Sequence, residues 1–433
     1  MKQITVFAAL AAVVSAGALA QNMFRGNPAH AGIYDANGPR QFQGVKWVFH
    51  TGGPIVTSPA IVNSTAFIGS DDGCVYAIDL ATGQQKWKFK TGGHVRSSAA
   101  VVAGVVYFGS YDGLFYAVDA ASGQLKWKFE TAGERRFEAK NLHGFKPVTQ
   151  TIADPWDTWQ SSPAVVGGLV YFGSGDGNIY ALDASNGQLR WKFTTGNVVH
   201  ASPAIVDGVL YVGSWDSYLY ALDAATGAEK WRFKTHDDPK TYNHQGIQGS
   251  PAVFSGVVYF GCRDAHLYAL DAKTGREVWN FDNHGTWINA TPVVQDGTLY
   301  VGASIPANFY TIDAATGKQR NVLNLDFPLF SSPAIAGGMA YVGSYSGKLT
   351  ALDLQTGKVA WQFQTEGSKK NEFGLIAANG SFDFSKLSQT GFYEEAYRDV
   401  AHLFALGAIL SSPAVEDGVI YFGSTDGNFY ALE

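Results

Sequence analysis

From about residue 45 onward the chain repeats one pattern: four short apolar runs, each closed by a turn rich in Gly, Asp, Ser or Asn. One unit reads Ser202-Pro203-Ala204-Ile205-Val206, Tyr211-Val212-Gly213-Ser214, Leu219-Tyr220-Ala221-Leu222-Asp223, then Thr226-Gly227 and Trp231-Arg232-Phe233. The third run alternates strictly, with Tyr180 and Leu182 on one face and Ala181 and Asp183 on the other in the neighbouring copy. That is the period of a β-strand. We name the four runs strands A to D. The C–D turn is Thr-Gly or Ser-Gly, where glycine can take a positive φ.

The Asp of strand C recurs at Asp79, Asp119, Asp183, Asp223, Asp271, Asp313 and Asp353, and Glu433 holds the same place in the last copy. The spacings are 40, 64, 40, 48, 42, 40 and 80 residues, so eight copies differ mainly in the length of their connections. Four antiparallel strands every forty-odd residues predict the blades of a propeller. The last copy stops after strand C. A spare strand D, Lys46-Trp47-Val48-Phe49, precedes the first strand A. The sequence therefore predicts an all-β, eight-bladed β-propeller of four-stranded antiparallel blades, whose ring is closed by the N-terminal strand pairing with the C-terminal blade.

The motif Ala221-Leu222-Asp223-Ala224-Ala225-Thr226-Gly227-Ala228-Glu229-Lys230-Trp231 recurs, with small changes, around Trp87, Trp127, Trp191, Trp279 and Trp361. The copy around Asp313 carries Asn321 where the tryptophan should stand. This motif resembles the tryptophan-docking repeat of the pyrroloquinoline-quinone (PQQ) type propellers. The leader Met23-Phe24-Arg25-Gly26-Asn27-Pro28 resembles the segment preceding such repeats. The resemblance implies that the tryptophans pack between blades. It points to two branches, quinoprotein dehydrogenases that hold PQQ and calcium on the axis and an outer-membrane assembly propeller lipoprotein that binds no cofactor.

Composition agrees with many strands and tight turns: 433 residues, 46% hydrophobic, 14% aromatic, 16% charged and 50 glycines. The net charge of −6 gives no electrostatic reason to expect a nucleic-acid partner. At the N-terminus, Lys2, the apolar run from Ile4 to Val14 and the small-residue site Ala18-Leu19-Ala20 predict a signal peptide over 1–20. The expected arrangement is a leader over 21–44 and the propeller over 45–433. The protein is then expected in the periplasm or secreted, with no transmembrane segment after signal removal. No Cys follows the cleavage site, so no lipid anchor is signalled. Cys74 and Cys262 fall four blades apart, too far to pair, and are expected as buried hydrophobes.

Strands A and C run the same way, so the D–A and B–C loops leave on one face. That face carries the insertions at 132–160, 236–249 and 366–410. Of the ten histidines, seven fall in D–A loops: His94, His143, His200, His236, His244, His284 and His402. Trp156, Trp159, Trp215 and Trp287 stand outside the docking motif on the same face, as do Arg96, Arg263, Tyr111 and Tyr345. The expected ligand funnel is Arg96, Trp156, Trp159, His200, Trp215, His244, Arg263, His284, Trp287 and Tyr345, with Trp159, Trp215, His200 and His284 ringing the channel mouth. His200, His244 and His284 precede three successive strands A, which raises metal ligation without a local metal motif. In the last insertion, Tyr393, Ala396, Tyr397, Val400, Leu403 and Phe404 predict an amphipathic helix over 393–406.

Two functions follow. One is a binding module, for a small molecule or for a periplasmic or outer-membrane protein, acting through the D–A loop face without cofactor. The alternative is a PQQ- and calcium-dependent dehydrogenase of alcohols or sugars. On that reading Asp154 or Asp157 is the base, Glu138 and Asn141 the calcium ligands, Arg96 or Arg263 the cation and Trp159 or Trp215 the stacking ring. The adjacent-cysteine pair of many alcohol-oxidising members is missing, and no Cys-x-x-Cys-His haem site is present.

Overall fold

The computed structural model describes residues 21–236, 246–325, 327–387 and 390–433. The expected signal peptide, His244 and most of the 236–249 insertion lie outside the described residues. Eight antiparallel blades surround an axis, each ordered A-B-C-D from the centre outwards. Blades 1 to 8 begin at Ala60, Ala100, Ala164, Ala204, Ala252, Val293, Ala334 and Ala414. Ring closure is as expected: Val45–His50 pairs antiparallel with Asn428–Leu432 as the outer strand of blade 8.

The repeat motif is a set of satisfied turns. In blade 4, Asp223 Oδ1 accepts from the Ala225 and Thr226 amides and the Thr226 hydroxyl. Gly227 (φ 74°) closes the turn, and a Cβ there would sit 2.6 Å from the ring of Trp191 in the preceding blade. Apart from Trp361, which docks on the leader, each docking tryptophan thus stacks on the next blade's C–D glycine. Its Nε1 donates to the carbonyl after that blade's Asp, as Trp231 does to Ala272 at 3.1 Å. The innermost strand is short in every blade and is preceded by a Ser or Thr hydroxyl. There, at seven of the eight steps of a belt, a backbone amide donates to the hydroxyl of the next blade, from Ser58 to Ser98 and onward to Ser250, and from Thr291 onward until Ser412 returns to Ser58 at 2.9 Å.

The leader does more than precede the repeats. It crosses the axis on the plain face, where every strand A offers an unpaired edge. The carbonyls of Gln21, Asn22, Pro28, Ala29 and Gly32 accept from Ile61, Val101, Ile205, Val253 and Ile335. Ile33–Tyr34 adds a parallel strand to blade 7. On the opposite face, two insertions clasp each other. The first forms the hairpin Glu138–Lys140 with Thr151–Ala153. The second contains the expected helix at Tyr393–Ala405, burying Ala396, Val400 and Leu403. Tyr397 Oη donates to the Ala153 carbonyl at 2.6 Å and joins them. Among the described residues, no helix is long and apolar enough to cross a membrane. Cys74 and Cys262 are free and buried.

Candidate functional site

Two residues before each belt hydroxyl, the strand period brings a second ring of side chains to the axis: Val56, Arg96, Gln160, His200, Gln248, Asn289, Phe330 and Leu410. Blades 2 to 6 supply its polar arc and blades 7, 8 and 1 its apolar arc. Phe24 of the leader and Trp159 of the first insertion also line this space, which encloses about 40 Å³. Trp159 meets Phe330 at 6.0 Å between ring centres. The axis is filled by the chain itself.

Two ion-paired clusters pin the first insertion. His200 is buried, with Nδ1 at 2.7 Å from Asp157 and Nε2 at 2.8 Å from Glu134. Burial opposes its protonation, but the two carboxylates outweigh burial and push its pKa up to about 10. Asp157 also accepts from the Phe137 amide at 2.7 Å. The second cluster centres on Arg263, which has no exposed surface. Its guanidinium lies 4.6 Å above the ring of Trp215 and 3.8 Å from that of Trp287, and bonds Asp154 at 2.7 Å. Asp154 further meets His143 Nε2 at 3.1 Å and the Trp156 amide at 2.7 Å. Burial works against this carboxylate, yet Arg263 and then His143 hold its pKa well below the usual range. The flat space between two indoles, where a planar ligand would stack, holds an arginine of the chain.

Beside this plug, between the two insertions, an aromatic pocket of about 330 Å³ opens to solvent. Trp156, Trp287, Phe327, Phe330 and Tyr345 wall it, with Leu403 of the helix opposite. Ile305 and Phe384 stand at its rim, 48% and 47% exposed. His143 is the only ionisable side chain besides the Tyr345 phenol in the described lining.

The residues expected at the funnel divide accordingly. Arg96, Trp159 and His200 line the axial space. Arg96 is held by Asp71 at 2.8 and 2.5 Å. Trp215 and Arg263 form the buried sandwich, and Trp156, Trp287 and Tyr345 line the pocket. Trp215 is 2% exposed and stacks on Phe137 at 4.5 Å, so it walls no opening. His284 stands apart on a turn with its side chain 89% exposed, 3.6 Å from Asp282. The expected channel ring of Trp159, Trp215, His200 and His284 therefore does not form. Among the described residues no cluster of His, Cys, Asp and Glu could hold a metal ion. Glu138 is exposed on the insertion hairpin. Sequence reading passed over Glu134, Phe137, Phe327 and Phe330. The insertion's length signalled Glu134 and Phe137, the position two before a belt hydroxyl signalled Phe330, and Phe327 carried neither signal.

A site for an anionic, planar quinone with a divalent cation requires free cations, free oxygen donors and a few hundred Å³. Asp154 is paired with Arg263, Asp157 and Glu134 with His200, and Arg96 with Asp71, and about 40 Å³ remains on the axis. Among the described residues, no Arg, Lys, Asp or Glu lines the larger pocket. The residues present do not fit that cofactor.

The chain is 33% identical over 104 residues to a quinohemoprotein alcohol dehydrogenase of Comamonas testosteroni, covering 21% of this chain and 14% of that protein. It is 26% identical over 147 residues to the outer membrane protein assembly factor BamB of Yersinia pestis, covering 33% of this chain and 30% of that protein. Among solved structures, BamB from Moraxella catarrhalis aligns at TM-score 0.63 and 18% identity, over 90% of this chain and 97% of that one. The Comamonas dehydrogenase aligns at 0.67 and 14% identity, over 95% of this chain and 80% of that one. At such identities the structural matches establish the fold alone. A family profile described as outer membrane protein assembly factor BamB matches residues 32–151, 144–282 and 263–381, which together take in most of the chain, and the protein belongs to that family.

Proposed function

We propose that this protein is an exported, cofactor-free binding propeller that takes an apolar stretch of another polypeptide into the aromatic pocket on its D–A loop face. The observation that carries this is the division of the face. The axis is occupied by Trp159, Arg96, His200 and the side chains ringed with them, while beside it an open pocket of about 330 Å³ presents aromatic walls and exposed apolar rims. A partly exposed apolar patch around a pocket is a recognition surface. The assembly role in the family description supports outer-membrane polypeptides as the partner class.

The test uses a purified outer-membrane β-barrel polypeptide diluted from urea, titrated onto the mature protein and onto the Ile305→Asp/Phe384→Asp variant. Charging the rim should weaken binding by roughly tenfold or more. Equal binding by both proteins would sink the proposal. So would PQQ added with calcium and retained at one per chain after desalting, which would favour the dehydrogenase reading.

A further inference from the structure

We infer that the seam between blades 6 and 7 is a vacant tryptophan slot that accepts a tryptophan side chain presented by a partner polypeptide. Seven seams are filled in one way. Trp47, Trp87, Trp127, Trp191, Trp231 and Trp279 each donate from Nε1 to a carbonyl after the next blade's Asp, at 2.9 to 3.1 Å. Trp361 does the same to Pro39, where the leader stands in at 3.0 Å. The six C–D glycines of the next blades lie against the indole rings, so that a Cβ would fall 2.6 to 2.8 Å from them.

Blade 6 puts Asn321 at this position, paired across to Thr311 as Trp231 is to Ala221. A space of about 330 Å³ is left there. One side of it is walled as in the filled seams, by Tyr300, Phe309, Leu323, Leu352, Leu354 and the turn glycine Gly357, and the other side is polar, with Arg320 and Asp353 among its residues. A Cβ on Gly357 would meet only the Asn321 amide at 3.2 Å, where an indole lies elsewhere. The neighbouring tyrosines record the same vacancy. Tyr211, Tyr259 and Tyr341 are buried against their tryptophans at 5.8 to 6.0 Å, whereas Tyr300 is half-buried and packs on Phe309 at 6.4 Å. The Leu354 carbonyl occupies the place of the carbonyls that receive Nε1 in the other seams. The slot thus offers apolar walls and an aromatic neighbour on one side and polar groups, the Leu354 carbonyl among them, on the other, which suits an amphipathic ring with one N–H donor such as indole.

The occupant comes on a polypeptide because of what borders the slot. Strand D of blade 6, Gln319–Asn324, is an outer edge with no strand beyond it in its sheet. An extended partner can hydrogen-bond to such an edge and place alternate side chains inward. Every blade has that edge, but only this one, among the described residues, adjoins an unfilled slot. The site is separate from the loop-face pocket and stands or falls without it.

N-acetyl-tryptophanamide is the probe, titrated onto the full chain and followed by ligand-observed NMR and calorimetry. Wild type should bind one equivalent saturably. Asn321→Trp fills the slot from within and should lose that binding by roughly tenfold or more. No saturable binding to wild type overturns the inference, and so does undiminished binding to a folded Asn321→Trp. Should that variant fail to fold, Trp279→Asn opens the seam between blades 5 and 6 instead. Stoichiometry should then rise to two, and a value remaining at one refutes the slot.

Discussion

Replacing Arg263 by Leu tests whether the first insertion is held by a buried ion pair, and the cost can be worked from its surroundings. The guanidinium is fully buried, 2.7 Å from Asp154, with aromatic rings at 3.8 and 4.6 Å. Leucine keeps much of the stem's packing but strands the Asp154 carboxylate without its cation. Removing one partner of a buried pair costs about 3–5 kcal/mol. Desolvated cation–π contacts of about 2 kcal/mol each are part of the same loss and do not add to it in full. The damage should fall first on residues 137–160, so hydrogen exchange there should rise before the blades unfold. The sign of the pH dependence sharpens the test. In wild type Asp154 titrates below its ordinary value, so its contribution is present above about pH 4 and fades as pH falls below that. In Arg263→Leu, burial without a cation raises the same carboxyl. The deficit should then shrink as pH drops from 7 towards 5, because the stranded carboxylate takes up a proton. Asp154→Asn added to Arg263→Leu should recover part of the loss at pH 7. Urea melts and exchange rates for Arg263→Leu within about 0.5 kcal/mol of wild type would refute the buried pair as the anchor.

Three further outcomes are expected. Asn321→Trp should stabilise the fold: an indole buries 150–250 Å² at about 25 cal/mol per Å², and burial in the denatured chain and imperfect fit reduce that to roughly 1–3 kcal/mol, read as a raised Tm. The His200 cluster carries the opposite pH sign. Its imidazole, pushed up to about 10, contributes fully below about pH 6.5, and that contribution is lost as pH rises through about 10. Alkaline exchange should therefore loosen the insertion around Glu134 and Asp157, at lower pH in Asp157→Asn. Trp47→Ala removes a ring packed at 5.6 to 5.8 Å on Phe429 and Tyr421, together with its bond to Leu80. It should cost about 3–5 kcal/mol, measured by denaturant unfolding, because it unlocks the closing blade.

The blades were legible because each is a local object. Strand period, the Asp-x-x-Thr-Gly turn and the docking tryptophan are all written within forty residues, so eight copies and the closure through Val45–His50 could be read directly. The helix at Tyr393–Ala405 was legible for the same reason. The site was not. Whether a loop tryptophan faces a funnel or a guanidinium depends on Arg263, which lies 48 residues from Trp215 and 109 from Asp154. Loop membership placed Trp215 and His284 together, although one is buried under Arg263 and the other stands in solvent. No periodicity encodes such a contact.

A propeller leaves one architectural question to each chain: what occupies the axis, where eight strand edges and eight loops converge. Here the unpaired inner edges are met from the plain face by Gln21–Tyr34, because a strand edge near the axis accepts any backbone that reaches it. From the loop face the 132–160 insertion delivers Trp159, and its carboxylates pair with His200 of blade 4, through Asp157 and Glu134, and with Arg263 of blade 5, through Asp154. Side chains of the chain itself fill most of hub and mouth, although Gln160 Oε1, Asn289 Oδ1, Trp215 Nε1 and Arg263 Nε stay buried without a partner. Recognition is displaced to where the two insertions meet without filling the space between them. The same logic applies at the rim. A repeat that substitutes one docking residue, Asn321, leaves a space already shaped and polarised by its seven filled counterparts. Both open sites therefore arise where the repeat is interrupted, and the regular blades supply the rigidity that keeps them open.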